Sequence, residues 1–181
     1  MNRRHTIGAA IVAALSLALS SFPAAAQSPM SPEARLKELN ITLPPLSKPI
    51  GNYVEWTRVG NLLFLSGHGP TLEMRGKGKV GKDLTLDQGR QAAREAGLAL
   101  LATTRDALGS LDKVKRVVKI FGMVNSAPGF EDQPKVIDGC SDLMADVFGK
   151  EAGKGARSAV VMSELPVHNP VEIEMILEVS E

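Results

Sequence analysis

The segment Val171–Val179, with the sequence VEIEMILEV, alternates between apolar and other side chains. Successive side chains of a β-strand point to opposite faces of a sheet, so this alternation predicts a strand with one buried face. The predicted buried face consists of Val171, Ile173, Met175, Leu177 and Val179, and the opposite face carries Glu172, Glu174 and Glu178. A strand with one apolar face needs a packing layer over that face.

The segments before this strand supply such a layer. A 23-residue helix is predicted over Leu86–Leu108, with Thr85 as its cap and several alanines on one face. A second helix is predicted from Asp132 or Pro134 to Phe148. Strands are predicted at Tyr53–Arg58 and Asn61–Ser66, joined by a Gly60-Asn61 turn, around Val114–Phe121, and at Arg157–Glu164. The order ββ-α-β-α-ββ predicts an α+β fold, in which two helices cover one face of an antiparallel or mixed sheet.

The N-terminus has the pattern of a signal peptide. Arg3 and Arg4 precede an apolar run over Ile7–Leu19, and Ala24-Ala25-Ala26 supplies a cleavage site after Ala26. The alternative is an uncleaved membrane anchor, which usually needs about 20 apolar residues. We therefore predict a signal peptide at residues 1–26, a periplasmic or secreted mature protein, and no membrane association after cleavage.

The mature chain is predicted to have two parts. Residues 27–49 are rich in Pro and Ser and form an N-terminal arm, with a short helix at Pro32–Leu39 that Ser31 could cap. Residues 50–181 form the main domain. Without residues 1–26 the chain keeps 155 residues, and its 19 basic residues nearly balance 20 acidic ones. Nucleic acid is therefore not an expected partner, because phosphate-backbone binding needs clustered positive charge.

Few residues are suited to metal or nucleophilic chemistry. His68 and His168 are the only histidines after residue 26, which argues against a multi-histidine metal site. Cys140 is the only cysteine, and it is either a buried inert thiol or a reactive one. The segment Gly76–Gly81 matches G-x-G-x-x-G, but no apolar strand precedes it and no helix opens from it. A solvated, flexible loop is predicted there.

Arg157 and Glu172 remain as candidates for a shared site. We expect them on adjacent strands, with Arg157 projecting into a cleft after the turn Gly153–Ala156. A guanidinium there could bind a carboxylate through two parallel hydrogen bonds, and Glu172 could position or deprotonate a water. The alternative is a structural salt bridge, either between these two residues or between subunits.

Four motifs, in order, resemble segments of the Rid/YjgF family, the reactive-intermediate deaminases once labelled L-PSP endoribonucleases. The resemblance covers roughly residues 48–179. The motifs are Ile50-Gly51-Asn52-Tyr53, Val59–Gly67, Arg157-Ser158-Ala159-Val160 with Glu164-Leu165-Pro166, and Val171-Glu172-Ile173-Glu174.

The resemblance implies a chorismate-mutase-like fold and a homotrimer that closes a barrel, with sites between neighbouring subunits. It implies that Arg157 binds the substrate carboxylate, Tyr53 contributes its hydroxyl, and Glu172 holds the hydrolytic water. It also implies hydrogen bonds from the backbone at Gly67 and Ala159. The implied reaction converts a 2-imino acid or enamine to a 2-keto acid and ammonia, without a cofactor.

Three departures from the family pattern leave alternatives open. Asn52 replaces the usual proline, His68 replaces the usual glutamine, and Asn125–Phe130 replaces a family turn with a longer loop. His68 is then either a polar neighbour of the substrate or an acid–base group. The alternative function is a non-catalytic periplasmic trimer that binds small molecules or acts as a chaperone. RNA cleavage, the family's older label, has little support from the charge balance.

Overall fold

The computed structural model describes residues 30–181, so the predicted signal peptide and the start of the arm lie outside the described residues. Within that range the predicted order of elements is confirmed. The helices are α1 (Pro32–Glu38), α2 (Leu86–Leu108) and α3 (Gln133–Phe148), and the strands are β1 (Trp56–Val59), β2 (Leu62–His68), β3 (Val114–Asn125), β4 (Ala156–Met162) and β5 (Val171–Val179).

The five strands form one mixed sheet in the order β1-β2-β5-β3-β4. Only β3 and β4 run parallel, and the other neighbouring strands are antiparallel. The five apolar residues on the predicted inner face of β5 are all buried, as its alternation predicts. Helices α2 and α3 cover this apolar side, so the predicted α+β fold with helices on one face is confirmed. We call the opposite side of the sheet the open face.

Helix α2 begins and ends where its sequence signals indicate. Thr85 and Gln88 form a reciprocal capping box, and Gly109 ends the helix in the left-handed conformation. The helix lies close to α3 because its facing residues are small. At Gly139 of α3 an added Cβ would collide with the carbonyl oxygen of Arg90. This close approach lets the two helices form one continuous layer over the sheet.

Helix α1 is held against the helical layer by an ion pair. Glu33 accepts hydrogen bonds from Arg105 Nε at 3.0 Å and Nη2 at 2.7 Å, and from the Leu111 amide at 3.0 Å. Leu36 is buried, and Ser31 caps the helix as predicted. Helix α1, which lies within the predicted arm, is therefore packed against the domain.

The loop over residues 71–82 is largely exposed to solvent, as predicted, but it is attached to the domain at several points. Val80 is fully buried, and its amide donates to the carbonyl oxygen of Asn125 at 2.9 Å. Lys79 Nζ donates to Asn125 Oδ1 and to the Ser163 carbonyl, both at 2.6 Å. The buried Glu95 carboxylate of α2 accepts two further backbone amides of the loop. Two buried apolar side chains, those of Met74 and Val80, and these five hydrogen bonds attach the loop to the domain.

Within residues 30–181, none of the helices combines the length and the apolarity needed to cross a bilayer.

Candidate functional site

Glu172 lies on the open face, opposite the helices. Its neighbours in sequence, Val171 and Ile173, point into the core, so the alternation of β5 turns Glu172 outward. The Glu172 side chain is about half-buried. Within the described chain it takes part in no salt bridge.

The carboxylate of Glu172 lies against the backbone of Gly67. A β-bulge makes this possible: Leu65 pairs with Met175 and His68 with Ile173, so β2 has one extra residue between these pairs. A Cβ at position 67 would collide with Oε1 of Glu172. Only glycine can occupy this position while the carboxylate stays where it is.

Burial raises the pKa of the Glu172 carboxyl above its ordinary value, and the negative charge of Glu174 raises that pKa further. A carboxylate of raised pKa is a stronger base than a solvated one. It can accept a proton from a water molecule more readily than an exposed glutamate can. The site therefore has one group suited to holding and activating water.

The segment that carries Tyr53 is attached to the bulge. Ser66 donates from its amide to the Glu55 carbonyl at 2.9 Å and from its hydroxyl to the Val54 carbonyl at 2.7 Å. Tyr53 itself precedes β1, which begins at Trp56 rather than at Tyr53 as predicted. The phenol is partly exposed, and its oxygen accepts from the Ile50 amide at 3.3 Å. Tyr53 therefore directly precedes Val54 and Glu55, which are hydrogen-bonded to Ser66 beside Gly67.

The His68 ring lies on the helix-facing side of the sheet and is 3% exposed. Nδ1 is 2.7 Å from the Ser66 carbonyl oxygen, and Nε2 is 2.8 Å from Thr103 Oγ1 of α2. Glu55 Oε2 is 3.6 Å from Nε2. The structure thus places the ring beneath the bulge and does not bring it to the open face with Glu172.

Arg157 lies on the same side of the sheet as the helices. Its Nη1 donates to Asp138 Oδ1 at 2.6 Å and to Ser141 Oγ at 3.1 Å, both on α3. The guanidinium borders a shallow pocket of about 200 Å³ that Gly153, Lys154 and Gly155 also line. Arg157 was expected to project into a cleft after the glycine-rich turn, and in the structure its side chain borders this pocket.

The prediction that Arg157 and Glu172 occupy adjacent strands was wrong. Strand β3 lies between β4 and β5. The alternative, a salt bridge between the two residues within one chain, is also absent from residues 30–181, where Arg157 pairs with Asp138. The physical reason is the parallel pairing of β4 with β3, which separates two strands that follow each other in sequence.

The register gives the separation of the two residues. Arg157 is level with Ile120 of β3 and Glu172 with Met123, three residues further along that strand. With about 3.3 Å per residue and about 4.8 Å per strand, their Cα atoms are roughly 14 Å apart. Their side chains also point to opposite faces. One chain therefore does not bring Arg157 and Glu172 to the same small molecule.

The remaining predicted site residue is Ala159 of β4. It pairs with Gly122 of β3, and its side chain packs against the core. It shares with Arg157 a strand whose other edge has no partner within the described chain. The structure thus places the predicted residues in two groups. Gly67 and Glu172 meet on the open face, and Tyr53 adjoins Val54, which is hydrogen-bonded to Ser66 of the bulge. Arg157 and Ala159 lie on the edge strand, and His68 lies on the helix-facing side, apart from both groups.

Two features of the structure were not expected from the sequence: the partners of Arg157 on α3 and a groove on the open face. Asp138 and Ser141 are three residues apart on a predicted helix, and that spacing could have indicated a shared face toward Arg157. The open face also has a groove of about 290 Å³. Its lining includes Phe64, Lys119, Phe121, Glu174 and Ile176.

The predicted burial of Cys140 is confirmed, and burial raises the pKa of its thiol to about 12 despite the opposing charge of Arg157. Such a thiol stays protonated at neutral pH, when it is neither a nucleophile nor a metal ligand. Among the residues that the structure describes, no group of three or more His, Cys, Asp or Glu side chains could hold a metal ion.

Residues 33–178 match the family model described as YjgF/chorismate mutase-like, putative endoribonuclease. Protein TCP17 of Trypanosoma cruzi is 41% identical over 149 residues, which cover 81% of this chain and 93% of TCP17. The crystal structure of Atu1372 from Agrobacterium tumefaciens, a protein of unknown function, is 42% identical with a TM-score of 0.75, covering 82% of this chain and 92% of Atu1372. A putative endoribonuclease from Shewanella oneidensis MR-1 is 30% identical with a TM-score of 0.79, covering 83% of this chain and all of the other.

This chain therefore belongs to the YjgF/chorismate mutase-like family, and the resemblance of its four motifs is confirmed.

The raised pKa of Glu172 predicts a pH-dependent effect of Glu172→Gln on stability. Since the folded-state pKa exceeds the unfolded one, the ionised carboxylate destabilises the fold at neutral pH, and that cost disappears below about pH 4. Glu172→Gln should therefore raise Tm at pH 7 and leave it nearly unchanged at low pH. Glu174→Gln, which changes an exposed carboxylate on the same face, should have a smaller effect. A lower Tm for Glu172→Gln at pH 7 would contradict this assignment.

Proposed function

We propose that this protein hydrolyses reactive 2-imino acids, or their enamine tautomers, to 2-keto acids and ammonia in a cleft between subunits. One observation supports the proposal above the others. A half-buried carboxylate of raised pKa, Glu172, lies on the open face and packs directly against the backbone of Gly67. This arrangement suits a group that holds a water molecule next to a small planar substrate.

The proposed reaction needs little beyond positioning. The oxygen of water adds to the electrophilic C=N carbon, while Glu172 accepts the proton that this oxygen loses. The proton taken from water passes from Glu172 to the imine nitrogen, which gives a carbinolamine. The carbinolamine hydroxyl proton then moves through the carboxylate to the amino nitrogen, the C–N bond breaks, and ammonia leaves as the carbonyl forms. Orientation of the two reactants accounts for most of the expected rate gain. These steps draw only on protein side chains and water.

Arg157 is the proposed carboxylate-binding group. Both of its hydrogen bonds within the described chain use Nη1, so Nε and Nη2 remain for a ligand. Those two donors form one edge of the guanidinium fork, which can bind a carboxylate through two parallel bonds. Asp138 and Ser141 hold the opposite edge and so fix the direction of the fork.

We propose that the two groups meet between two copies of the chain in a homotrimer. Arg157 and Glu172 are roughly 14 Å apart and on opposite faces in one chain, so a shared site requires a neighbour. The edge strands β1 and β4 each have one unpaired side within the described chain, and such edges readily pair with another chain. Leu46, Ile50, Tyr53, Val54 and Val59 are also exposed, which suits a face that another subunit covers. We also propose a periplasmic or secreted location, because residues 1–26 have the sequence pattern of a signal peptide.

The second candidate function is a non-catalytic trimer that binds small carboxylates. The observation that favours it is the ion pair of Arg157 with Asp138, which partly neutralises the guanidinium before any ligand arrives. RNA is not proposed as a substrate, because basic and acidic residues nearly balance over the whole chain.

Turnover separates the two candidates. The mature protein should accelerate ammonia release from imines that an amino-acid oxidase generates from several amino acids. Arg157→Lys keeps the charge but loses the fork, so the Kd for the 2-keto acid product should rise about tenfold or more. Binding of keto acids with no acceleration for any imine would favour the non-catalytic trimer.

Mixing two inactive variants tests whether each site belongs to two chains. Arg157→Ala and Glu172→Gln should each abolish turnover. If each site takes Arg157 from one subunit and Glu172 from the next, random mixed trimers of the two variants should regain about a quarter of the wild-type sites.

The subunits must be exchanged by partial unfolding and refolding, with each variant refolded alone as the control. Turnover that stays absent in the refolded mixture, while light scattering shows mixed trimers, would contradict a site shared in this way. A monomer in solution would contradict it as well.

A further inference from the structure

The bulge that brings Gly67 to Glu172 has a support on the opposite side of the sheet. A bulged residue leaves the regular hydrogen-bond ladder, so its polar groups need other partners. The amide and hydroxyl of Ser66 are bound by the segment that follows Tyr53. The Ser66 carbonyl is bound by the His68 ring.

The partners of the His68 ring determine its protonation at each nitrogen. A carbonyl oxygen can only accept, so Nδ1, at 2.7 Å from Ser66 O, must carry a hydrogen. In the neutral ring Nε2 is then an acceptor, and the Thr103 hydroxyl at 2.8 Å can donate to it. Thr103 lies within the rigid helix α2. A continuous chain of contacts thus runs from α2 through the ring to the Ser66 carbonyl.

We propose that His68 is a positioning residue whose ring, held by Thr103, fixes the Ser66 carbonyl and so keeps Gly67 against the Glu172 carboxylate. This role differs from substrate contact and from acid–base catalysis, which are the two roles that the sequence left open. The inference rests on the proposed function only in assigning the water to Glu172. The structural coupling between His68 and Glu172 can be measured without turnover.

The burial of the ring supports this role. His68 is 3% exposed, with Thr103 and Glu55 on its Nε2 side and Ser66 on its Nδ1 side. Loss of the Nδ1 hydrogen bond would leave the Ser66 carbonyl without this partner, and the bulge could then relax. Relaxation would let water reach Glu172, and the pKa of its carboxyl would fall toward its ordinary value.

Two substitutions separate hydrogen bonding from space filling. Asn at position 68 keeps an N–H donor near the position of Nδ1 but loses volume, whereas Leu keeps most of the volume and has no donor. The pKa of the Glu172 carboxyl should be measured by carbon NMR titration in wild type, His68→Asn and His68→Leu. We expect the wild-type pKa in His68→Asn and a lower pKa in His68→Leu.

The matched control is Thr104→Val, which removes a buried hydroxyl of α2 that binds only the Leu100 carbonyl of its own helix. This variant should leave the Glu172 pKa unchanged. An unchanged pKa in all variants, or a pKa that follows side-chain volume instead of the donor, would overturn the proposal.

Kinetics provide a second comparison if the enzyme turns over imines. Displacement of a water-holding group by about 1 Å can cost up to ~100-fold in rate, so kcat should fall in His68→Leu and recover in His68→Asn. KM should change little, because Arg157 is on another strand. The NMR result decides the positioning role whether or not turnover is found, so failure of the proposed function and failure of this inference are distinguishable.

Discussion

Strand β5 is paired on both edges and packed against helices on one face, and this constraint determines where the chemistry can be. Its alternate residues Val171, Ile173, Met175, Leu177 and Val179 are all buried in the core. Glu172 can then point only to the open face, since adjacent residues of a strand alternate. The same pairing brings β2 beside β5, where the bulge places Gly67 under the carboxylate. The core and the candidate site are thus two sides of one strand.

The order of the strands also determines how copies of the chain would have to combine to form a site. Because β3 separates β4 from β5, the guanidinium and the carboxylate lie on different strands and different faces. Asp138 and Ser141 hold Arg157 in place without help from Glu172. Each half of the proposed site is therefore organised separately within a chain. A substrate that needs both halves has to bind where two chains meet.

Part of this could be predicted from the sequence, and local signals explain which part. The alternation over Val171–Val179 and the capping signals at Thr85 and Gly109 depend on neighbours in sequence, and the structure agrees with them. The family resemblance assigned Gly67 and Glu172 to one site, but the contact between them was not predicted, because a bulge has no clear sequence signature here.

The errors concern contacts between distant segments. The parallel pairing of β4 with β3 is a choice of topology, and the strand pattern of Arg157–Glu164 is equally compatible with pairing to β5. The same limit explains the loop over residues 71–82, where the polar composition concealed a buried Val80 and the attachment of Lys79 to Asn125. Long-range partners decide such features, and local composition does not specify them.

The most direct test of the account is a crystal structure of the mature protein with a bound 2-keto acid, the proposed product. The account predicts that the carboxylate binds Nε and Nη2 of Arg157 in one subunit, and that the C2 carbonyl lies beside Glu172 of the adjacent subunit. A keto acid held by Arg157 and Glu172 of the same chain, or bound away from Arg157, would contradict it.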